Sequence, residues 1–374
     1  MSRLYHQRRG ARYEQLAAGG IQCGLPRRKL LGEAFLFVAA VLFIARGGAA
    51  VAPASNSAPQ FTAQREKVII DTDIGDDIDD AFAVALALRS PEIQILGVTT
   101  TSGDTATRAK LVDRLLGEAG RTDIPVAIGI PTQAKTAFTQ RVYAEGGEFA
   151  RTSHPPAVDF ILGQIKQHPG EITLVCIGPL FNVGAMIQKD PSTFRQLKRV
   201  VMMGGSINRG YGNPYDAPTP PAAEWNILND ISGAQKLFEA GVPIYMMPLD
   251  STQLKMDETK RDFLFRQATP LTQALGALYY EWGQPTPTLF DPMTIAFIDK
   301  PELCPVQPMH IVVDDKGFTR ATSGPANAQV CLKSDPEAFF RFYLSRFEHT
   351  AHPISASAAM NVSPDESAFH FQGL

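Results

Sequence analysis

Short apolar runs alternate along this chain with longer segments whose apolar positions recur every three to four residues. Val68-Ile69-Ile70 is a β-branched run closed by acids, which predicts a buried strand. Residues 79–88 are apolar at nearly every position after two aspartates, which predicts a helix buried on all sides. A second strand is expected over 93–99. A helix follows over 104–118, with Ala109, Val112, Leu115 and Leu116 on its apolar face. The alternation continues with strands at 125–128, 172–177, 199–203 and 244–247. The helices between them fall at 157–167, 179–188 (Pro179 at its start) and 231–239. This order predicts an α/β fold with a mostly parallel central sheet flanked by helices, an open sheet of Rossmann type.

The last third changes character. Helices are expected at 256–267, 270–282 and 291–298. Strands at 307–313 and 318–322 flank Asp314-Asp315-Lys316-Gly317, the pattern of a hairpin. A further strand at 328–333 and a helix at 336–347 complete a C-terminal helical and hairpin portion. Residues 351–374 are rich in Ser, Ala and Pro and are expected to form a flexible tail. No internal repeat is visible, so 66–350 is taken as one domain.

The 374 residues are 44% hydrophobic and 20% charged, which excludes a disordered or collagen-like chain. Lys+Arg (35) do not exceed Asp+Glu (38), which argues against a nucleic-acid scaffold. Four cysteines are too few for a disulfide framework. Charge is unevenly placed: residues 1–54 hold eight basic and two acidic side chains, and the remainder is acidic. Arg27-Arg28-Lys29 precedes an apolar run over 30–45, followed by small residues ending in Ala52-Pro53-Ala54. That is the layout of a secretory signal peptide cut before Ser55, with 55–65 as linker, and it predicts export to the periplasm or beyond. The alternative is an uncleaved anchor at 30–45, although a comfortable span needs about 20 residues. The arginine pair resembles a twin-arginine signal, which Glu33 weakens. The stretch before Leu25 is long for a basic head and points to a start downstream of Met1. Cys176 ends an apolar run and reads as a buried hydrophobe. Cys304 and Cys331 are free to pair in an oxidising compartment.

The densest chemistry lies in Asp71-Thr72-Asp73-Ile74-Gly75-Asp76-Asp77-Ile78-Asp79-Asp80-Ala81, with six carboxylates in ten residues between a strand end and a helix start. In an open α/β sheet, ligands bind at such a place. Helix capping accounts for one or two aspartates. Six repel one another, at a cost on the order of 1 kcal/mol per close pair even in water, and a bound cation relieves that. No Cys/His cluster points to zinc, whereas carboxylates suit a hard ion such as Ca²⁺. An EF-hand is excluded by register, because Gly75 and Asp76 stand in the wrong order.

These residues resemble the opening signature of the inosine-uridine nucleoside hydrolase family, D-x-D-x-G followed by DDA. Shorter members join the two pieces with two fewer residues, so the spacing here resembles a longer bacterial variant. The resemblance runs from Val68 to Phe347. It passes through Val98-Thr99-Thr100 with Gly103-Asp104, then 174–182 ending in Asn182, then Val200 to Gly205 with its Met-Gly-Gly end. Ala223-Glu224-Trp225-Asn226 with Asp230, and Asp291-Pro292, complete it. The resemblance implies a nucleoside hydrolase-like fold and calcium-dependent hydrolysis of ribonucleosides to ribose and free base. It implies Ca²⁺ held by Asp73, Asp80, Asp291 and the backbone carbonyl of Ile177. Asp79 would be the catalytic base, activating a water on the metal to attack the anomeric carbon. Glu224 and Asn226 would hold the ribose hydroxyls, with Asp104 and Met203 lining the pocket. Asn182 either lines the pocket too or is a polar helix-start residue. Asp77 falls in the insertion, behind the ligands or at the rim. An ungapped alignment would make Asp77 the base and Ile78 a ligand, which fails chemically. A dimer or tetramer is also implied.

The sequence departs from the pattern at Phe290, where many members carry a histidine that protonates the leaving base. Nothing in the sequence directs His154 or His310 to that task. Phe290, Trp225, Tyr279 or Trp282 offers an aromatic surface for a base, while Tyr279 and Trp282 also suit core packing at helical spacing. The choice between purine and pyrimidine nucleosides stays open. Two other readings remain. One is a non-catalytic exported ribose- or nucleoside-binding protein, against which Asp79 argues. The other is a haloacid-dehalogenase-type phosphatase suggested by Asp71-Thr72-Asp73, against which the following glycine and aspartate pair argue.

Overall fold

The first strand, β1 (Glu66–Thr72), becomes fully buried from Val68 onward. Its side chains alternate between two cores, as the pleat of a strand requires. Val68 and Ile70 join one cluster and Ile69 the other. A computed structural model describes residues 65–147, 151, 153–213 and 215–348. The signal or anchor expected over 1–54, the linker expected over 55–65 apart from Arg65, and the tail over 351–374 lie outside the described residues.

In chain order, β1 is followed by α1 (Asp79–Leu88), β2 (Ile93–Thr100), α2 (Thr105–Glu118), β3 (Val126–Ala127), α3 (Arg141–Glu145) and α4 (Ala157–Gln167). Then come β4 (Ile172–Cys176), α5 (Phe181–Lys189), α6 (Pro191–Phe194), β5 (Arg199–Met203), α7 (Trp225–Asn229) and α8 (Ile231–Glu239). The C-terminal part contains β6 (Ile244–Met247), α9 (Leu249–Thr252), β7 (Leu254–Lys255), α10 (Glu258–Arg266), α11 (Pro270–Trp282), β8 (Thr288–Leu289) and α12 (Pro292–Asp299). A 3₁₀ turn at Pro301–Leu303 leads to β9 (Val306–Val313), β10 (Thr319–Thr322), β11 (Ala328–Cys331) and α13 (Pro336–Ser345).

Nine strands form the main sheet in the order β10-β9-β11-β6-β5-β4-β1-β2-β3. From β3 to β11 the strands run parallel. The expected hairpin supplies the antiparallel edge, with β9 between β11 and β10. The expected α/β architecture is therefore present. The chain winds outward from β1 in both directions, through β2 and β3 on one side and β4, β5 and β6 on the other. The boundary between β1 and β4 is the topological switch point, where loops diverge and leave a crevice at the strands' carboxyl ends.

Helix α1 is buried from Asp79 to Ala87 and packs against α11 and α12. Tyr343 of α13 closes over it: its ring lies 6.4 Å from that of Phe82, and its hydroxyl donates to Phe82 O at 3.1 Å. Burying Phe82 contributes roughly 1.5–3 kcal/mol, and α1 carries the acidic pair, so the same packing fixes the site. Cys304 and Cys331 form a disulfide between the chain following α12 and the end of β11.

Differences from the expected boundaries have local causes. Helix α5 begins at Phe181 rather than 179, since Pro179 O accepts from Thr101 Oγ1 at 2.9 Å and keeps 177–180 a loop. Helix α10 begins at Glu258, because Asp257 caps it by accepting from Lys260 N at 3.1 Å. Helices α3, α6, α7 and α9 and the β7–β8 pair are two to five residues long, too short to show a period. Among the described residues no helix is long and apolar enough to cross a membrane.

Candidate active site

A cavity of about 350 Å³ opens over the switch point. Its floor comes from the loop after β1 and the first turn of α1, where Asp73, Asp76, Asp77, Asp79 and Asp80 all reach the lining. Capping does not use up the acidic pair. Ile78 holds the N-cap position of α1, and no side-chain cap bond forms there. Thr72 donates its hydroxyl to Asp80. Asp79 and Asp291 share a hydrogen bond across the cavity floor. Asp291 precedes α12, and its carboxylate likewise makes no cap bond. Oxygens of Asp79, Asp80 and Asp291 lie within 4.8 Å of one another.

Burial pushes Asp79, Asp80 and Asp291 well above the usual carboxylate range, and their mutual repulsion adds to it. Asp73 is raised to about 7, chiefly by burial; Arg108 opposes the shift, while Asp76 and Glu224 reinforce it. Beneath the floor, burial raises Asp71 to about 6 against hydrogen bonds from Thr99 and Asn182. Four crowded carboxyl groups whose charged forms burial disfavours, with no Cys or His in the lining, fit a hard cation with oxygen donors. The expected ligand set is only partly reproduced as a cluster. Asp80 and Asp291 belong to it, and the third member is Asp79, expected as the base rather than as a ligand. Asp73 lines the same cavity outside the 4.8 Å group, its carboxylate against Gly178, where a Cβ would come within 2.9 Å of Oδ1. Ile177, at the end of β4, is also in the lining.

The opposite wall is built around α7. Glu224 is its N-cap, accepting from Asn226 N at 3.0 Å and Ile227 N at 3.2 Å. Gly205 N, after β5, donates to the same carboxylate at 2.9 Å. Burial raises Glu224 all the same. Asn226 Nδ2 donates to Met203 O at 3.2 Å, which joins α7 to the end of β5. Glu224, Asn226, Met203 and Trp225 all line the cavity. The outer wall is aromatic: Phe290, Trp225, Trp282 and Tyr211 face it together. Tyr211 meets Phe290 edge-on at 6.1 Å, and its hydroxyl accepts from Trp225 N at 2.9 Å. Asp77 accepts from Ile78 N at 2.7 Å and is bonded to Trp282, which places it at the rim.

Two residues expected in the pocket are absent from its lining. Asp104 caps α2, accepting from Thr107 N at 3.1 Å and Thr107 Oγ1 at 2.7 Å. Free N–H groups at a helix start claim an aspartate placed there. Asn182 is fully buried below the floor. It donates to Asp71 Oδ1 at 2.8 Å and Thr100 O at 2.9 Å, and accepts from Ile130 N at 3.0 Å. It therefore ties β1, β2 and the chain after β3 together. Neither candidate histidine reaches the cavity: His154 pairs with buried Asp113, and His310 bonds Pro325 O at 2.7 Å. Tyr279 packs on Phe265 and Trp282 rather than facing the cavity. Sequence reasoning missed Tyr211, Gln284, Thr136 and Thr139, which also line it. They come from irregular segments and have no periodic signal. Only their positions between motifs could have raised interest.

Comparison with known proteins identifies the family. The family model for inosine-uridine preferring nucleoside hydrolases matches residues 68–341. The pyrimidine-specific ribonucleoside hydrolase RihA of Citrobacter koseri is 32% identical over 307 residues, 73% of this chain and 95% of that protein. RihA of an Escherichia coli strain is 30% identical over 319 residues, covering 76% and 99%. Among solved structures, a plant nucleoside hydrolase, PpNRh1, superposes with a TM-score of 0.66 at 26% identity, over 75% of this chain and 98% of that one. A purine-preferring ribonucleoside hydrolase from Gardnerella vaginalis shares the fold with a TM-score of 0.66 at 23% identity, covering 75% and 98%. The chain belongs to the inosine-uridine preferring nucleoside hydrolase family, hydrolases that act on N-glycosyl compounds.

Proposed function

We propose that the protein is a calcium-dependent nucleoside N-ribohydrolase that cleaves ribonucleosides to ribose and free base. The observation that carries this reading is one cavity with a carboxylate floor and an aromatic outer wall. A nucleoside has the same division, a hydroxyl-bearing sugar joined to a flat base. Asp73, Asp80, Asp291 and the carbonyl of Ile177 would hold Ca²⁺, which when bound supplies charge that anchors ribose hydroxyls and makes a water more acidic.

Asp79 stands beside this set and takes the proton of the attacking water. A C1′–O bond forms as the C1′–N bond breaks through an oxocarbenium-like transition state; the base leaves with the bonding pair and takes a proton from solvent water, and Asp79 returns its proton to solvent. Glu224, fixed by three backbone N–H groups, is aimed at ribose hydroxyls, and Asn226 beside it is fixed by Met203 O. Such pre-orientation avoids reorganising these groups during the reaction. Phe290, Trp225, Trp282 and Tyr211 would enclose the base and exclude water from it. Met203 closes the pocket below the sugar, and Asp77 holds Trp282 at the rim.

Ribose release from a panel of purine and pyrimidine nucleosides, with calcium and with chelator, tests this reading. Calcium-dependent release of equal ribose and free base is expected. Tight binding without release would favour the binding-protein alternative. Phosphate release from a phosphate ester with Mg²⁺ would favour the phosphatase. Export is also inferred, from the basic start, apolar run and Ala52-Pro53-Ala54, and the Cys304–Cys331 disulfide is consistent with an oxidising compartment. Native protein recovered with residues 1–54 attached and both thiols free would overturn it.

A further inference from the structure

Arg108 of α2 is almost completely buried, yet it points away from its own helix into the turn that carries Asp73. Its Nη1 donates to the backbone carbonyl of Asp73 and, at 2.9 Å, to that of Ile74. Both terminal nitrogens reach the Asp76 carboxylate, at 3.1 and 2.9 Å, and Nε donates to Ser102 O at 2.9 Å. The guanidinium thus spans the loops that follow β1 and β2. A planar fork of five donors suits this task, and an ammonium cannot reproduce it.

The strap after β3 fastens on the other side of the same turn. Thr136 Oγ1 donates to Asp76 Oδ2 at 2.6 Å, and Thr139 Oγ1 to Asp76 O at 2.7 Å. Gln140 N donates to Gly75 O at 3.1 Å, and its Nε2 to Asp77 O at 2.6 Å. Phe138 lies 5.2 Å from the Arg108 guanidinium and fills the space beside Gly75, whose φ of +123° and crowding to 2.4 Å exclude a Cβ.

We propose that Arg108 and Asp76 form a clamp that sets the position of Asp73, making Arg108 a positioning residue for the metal centre. This rests on the calcium reading given above. The clamp explains why a buried cation lies beside a proposed cation site. As a bare charge Arg108 would oppose Ca²⁺, whereas as a clamp it holds the turn so that Asp73 faces the cavity. The two roles predict different effects when the fork is lost while the charge stays: a bare charge leaves calcium affinity unchanged, and a clamp weakens it.

Two charge-conserving variants of the whole protein separate these roles: Arg108→Lys, and Asp76→Glu, whose side chain is partly exposed. Titration with calcium alone, after chelator removal, should show affinity weakened roughly 10–100-fold in Arg108→Lys, the range for residues that orient metal ligands. Asp76→Glu should weaken it in the same direction. At a temperature where the chelated variant remains folded, saturating calcium should restore kcat for a ribonucleoside to near the parent value, a rescue that a folding defect would not show. A folded Arg108→Lys that binds calcium as tightly as the parent overturns the clamp, as does a loss of turnover that calcium cannot restore. If Arg108→Lys does not fold, unchanged calcium affinity in Asp76→Glu overturns it equally. A parent protein that binds no calcium overturns the metal reading itself, and the clamp with it.

Discussion

Asp79 and Asp80 are adjacent and buried, yet the proposed mechanism gives them different work. Asp80 is held by the Thr72 hydroxyl and belongs to the proposed ligands, whereas Asp79 bonds Asp291 and is the proposed base. Asp79→Ala should lower kcat by roughly 10²–10⁴-fold, the usual range for a general base, with calcium content kept. Asp80→Ala should lose calcium and nucleoside binding together, because metal affinity depends on the full ligand set. Turnover assays paired with elemental analysis check both. If Asp77→Ala abolished turnover and Asp79→Ala did not, the alignment of the acidic segment would be out of register. This segment was legible in sequence because no ordinary strand-to-helix turn needs six acids. Asp104 and Asn182 were harder to read. A polar residue at a helix start serves capping, buried ties and pockets alike, and only packing decides among them. Tyr211 gave no signal at all, since its place in the wall depends on how an irregular loop folds back onto Trp225.

At the scale of elements, the long strands and helices follow the apolar pattern because each buries one or both faces against a neighbour. Residues 79–88, 157–167, 199–203 and 231–239 begin and end where the pattern does. The short pieces take their form from caps. Asp190 and Glu224 each accept backbone N–H bonds that start a helix of four or five residues. Helix α12 matters to the site alongside α1, because Asp291 sits at its N-terminus. The Cys304–Cys331 disulfide fastens the chain just beyond its C-terminus to β11, with a sequence separation of 27. Closing a loop of that size stabilises by about 3.5 kcal/mol through the unfolded chain. The Cys304→Ser/Cys331→Ser pair should therefore lower stability by roughly 2–4 kcal/mol in denaturant unfolding. Nucleoside turnover below the new transition should survive, because neither sulfur lines the cavity. Unchanged stability would show that the two thiols are not joined in the native protein.

Across the whole molecule, the parallel order of the sheet could be anticipated, but the place of the switch point could not. Alternating strands and helices say nothing of which strand ends the chain on each side of β1. That placement brings residues far apart in sequence, from Asp73 to Asp291, to one cavity floor. The crowding has a thermodynamic signature. Asp73 is raised from an ordinary 3.8 to about 7, and Asp79, Asp80 and Asp291 are likewise raised well above the ordinary carboxylate value. A carboxyl whose folded pKa exceeds its unfolded value binds more protons when folded. Its contribution is fully present below the unfolded pKa and is lost as pH rises through the folded one. Chelator-treated protein should accordingly lose stability as pH rises from about 4 to 7, against the trend of a protein dominated by surface ion pairs. Calcium requires the deprotonated carboxylates, so its stabilising effect should grow over the same interval. Melting temperatures at pH 5 and pH 8, each with chelator and with calcium, should show a small calcium effect at the lower pH and a large one at the higher. Chelated protein that is at least as stable at pH 8 as at pH 5 would mean that the carboxylates are not held together as the cavity floor requires.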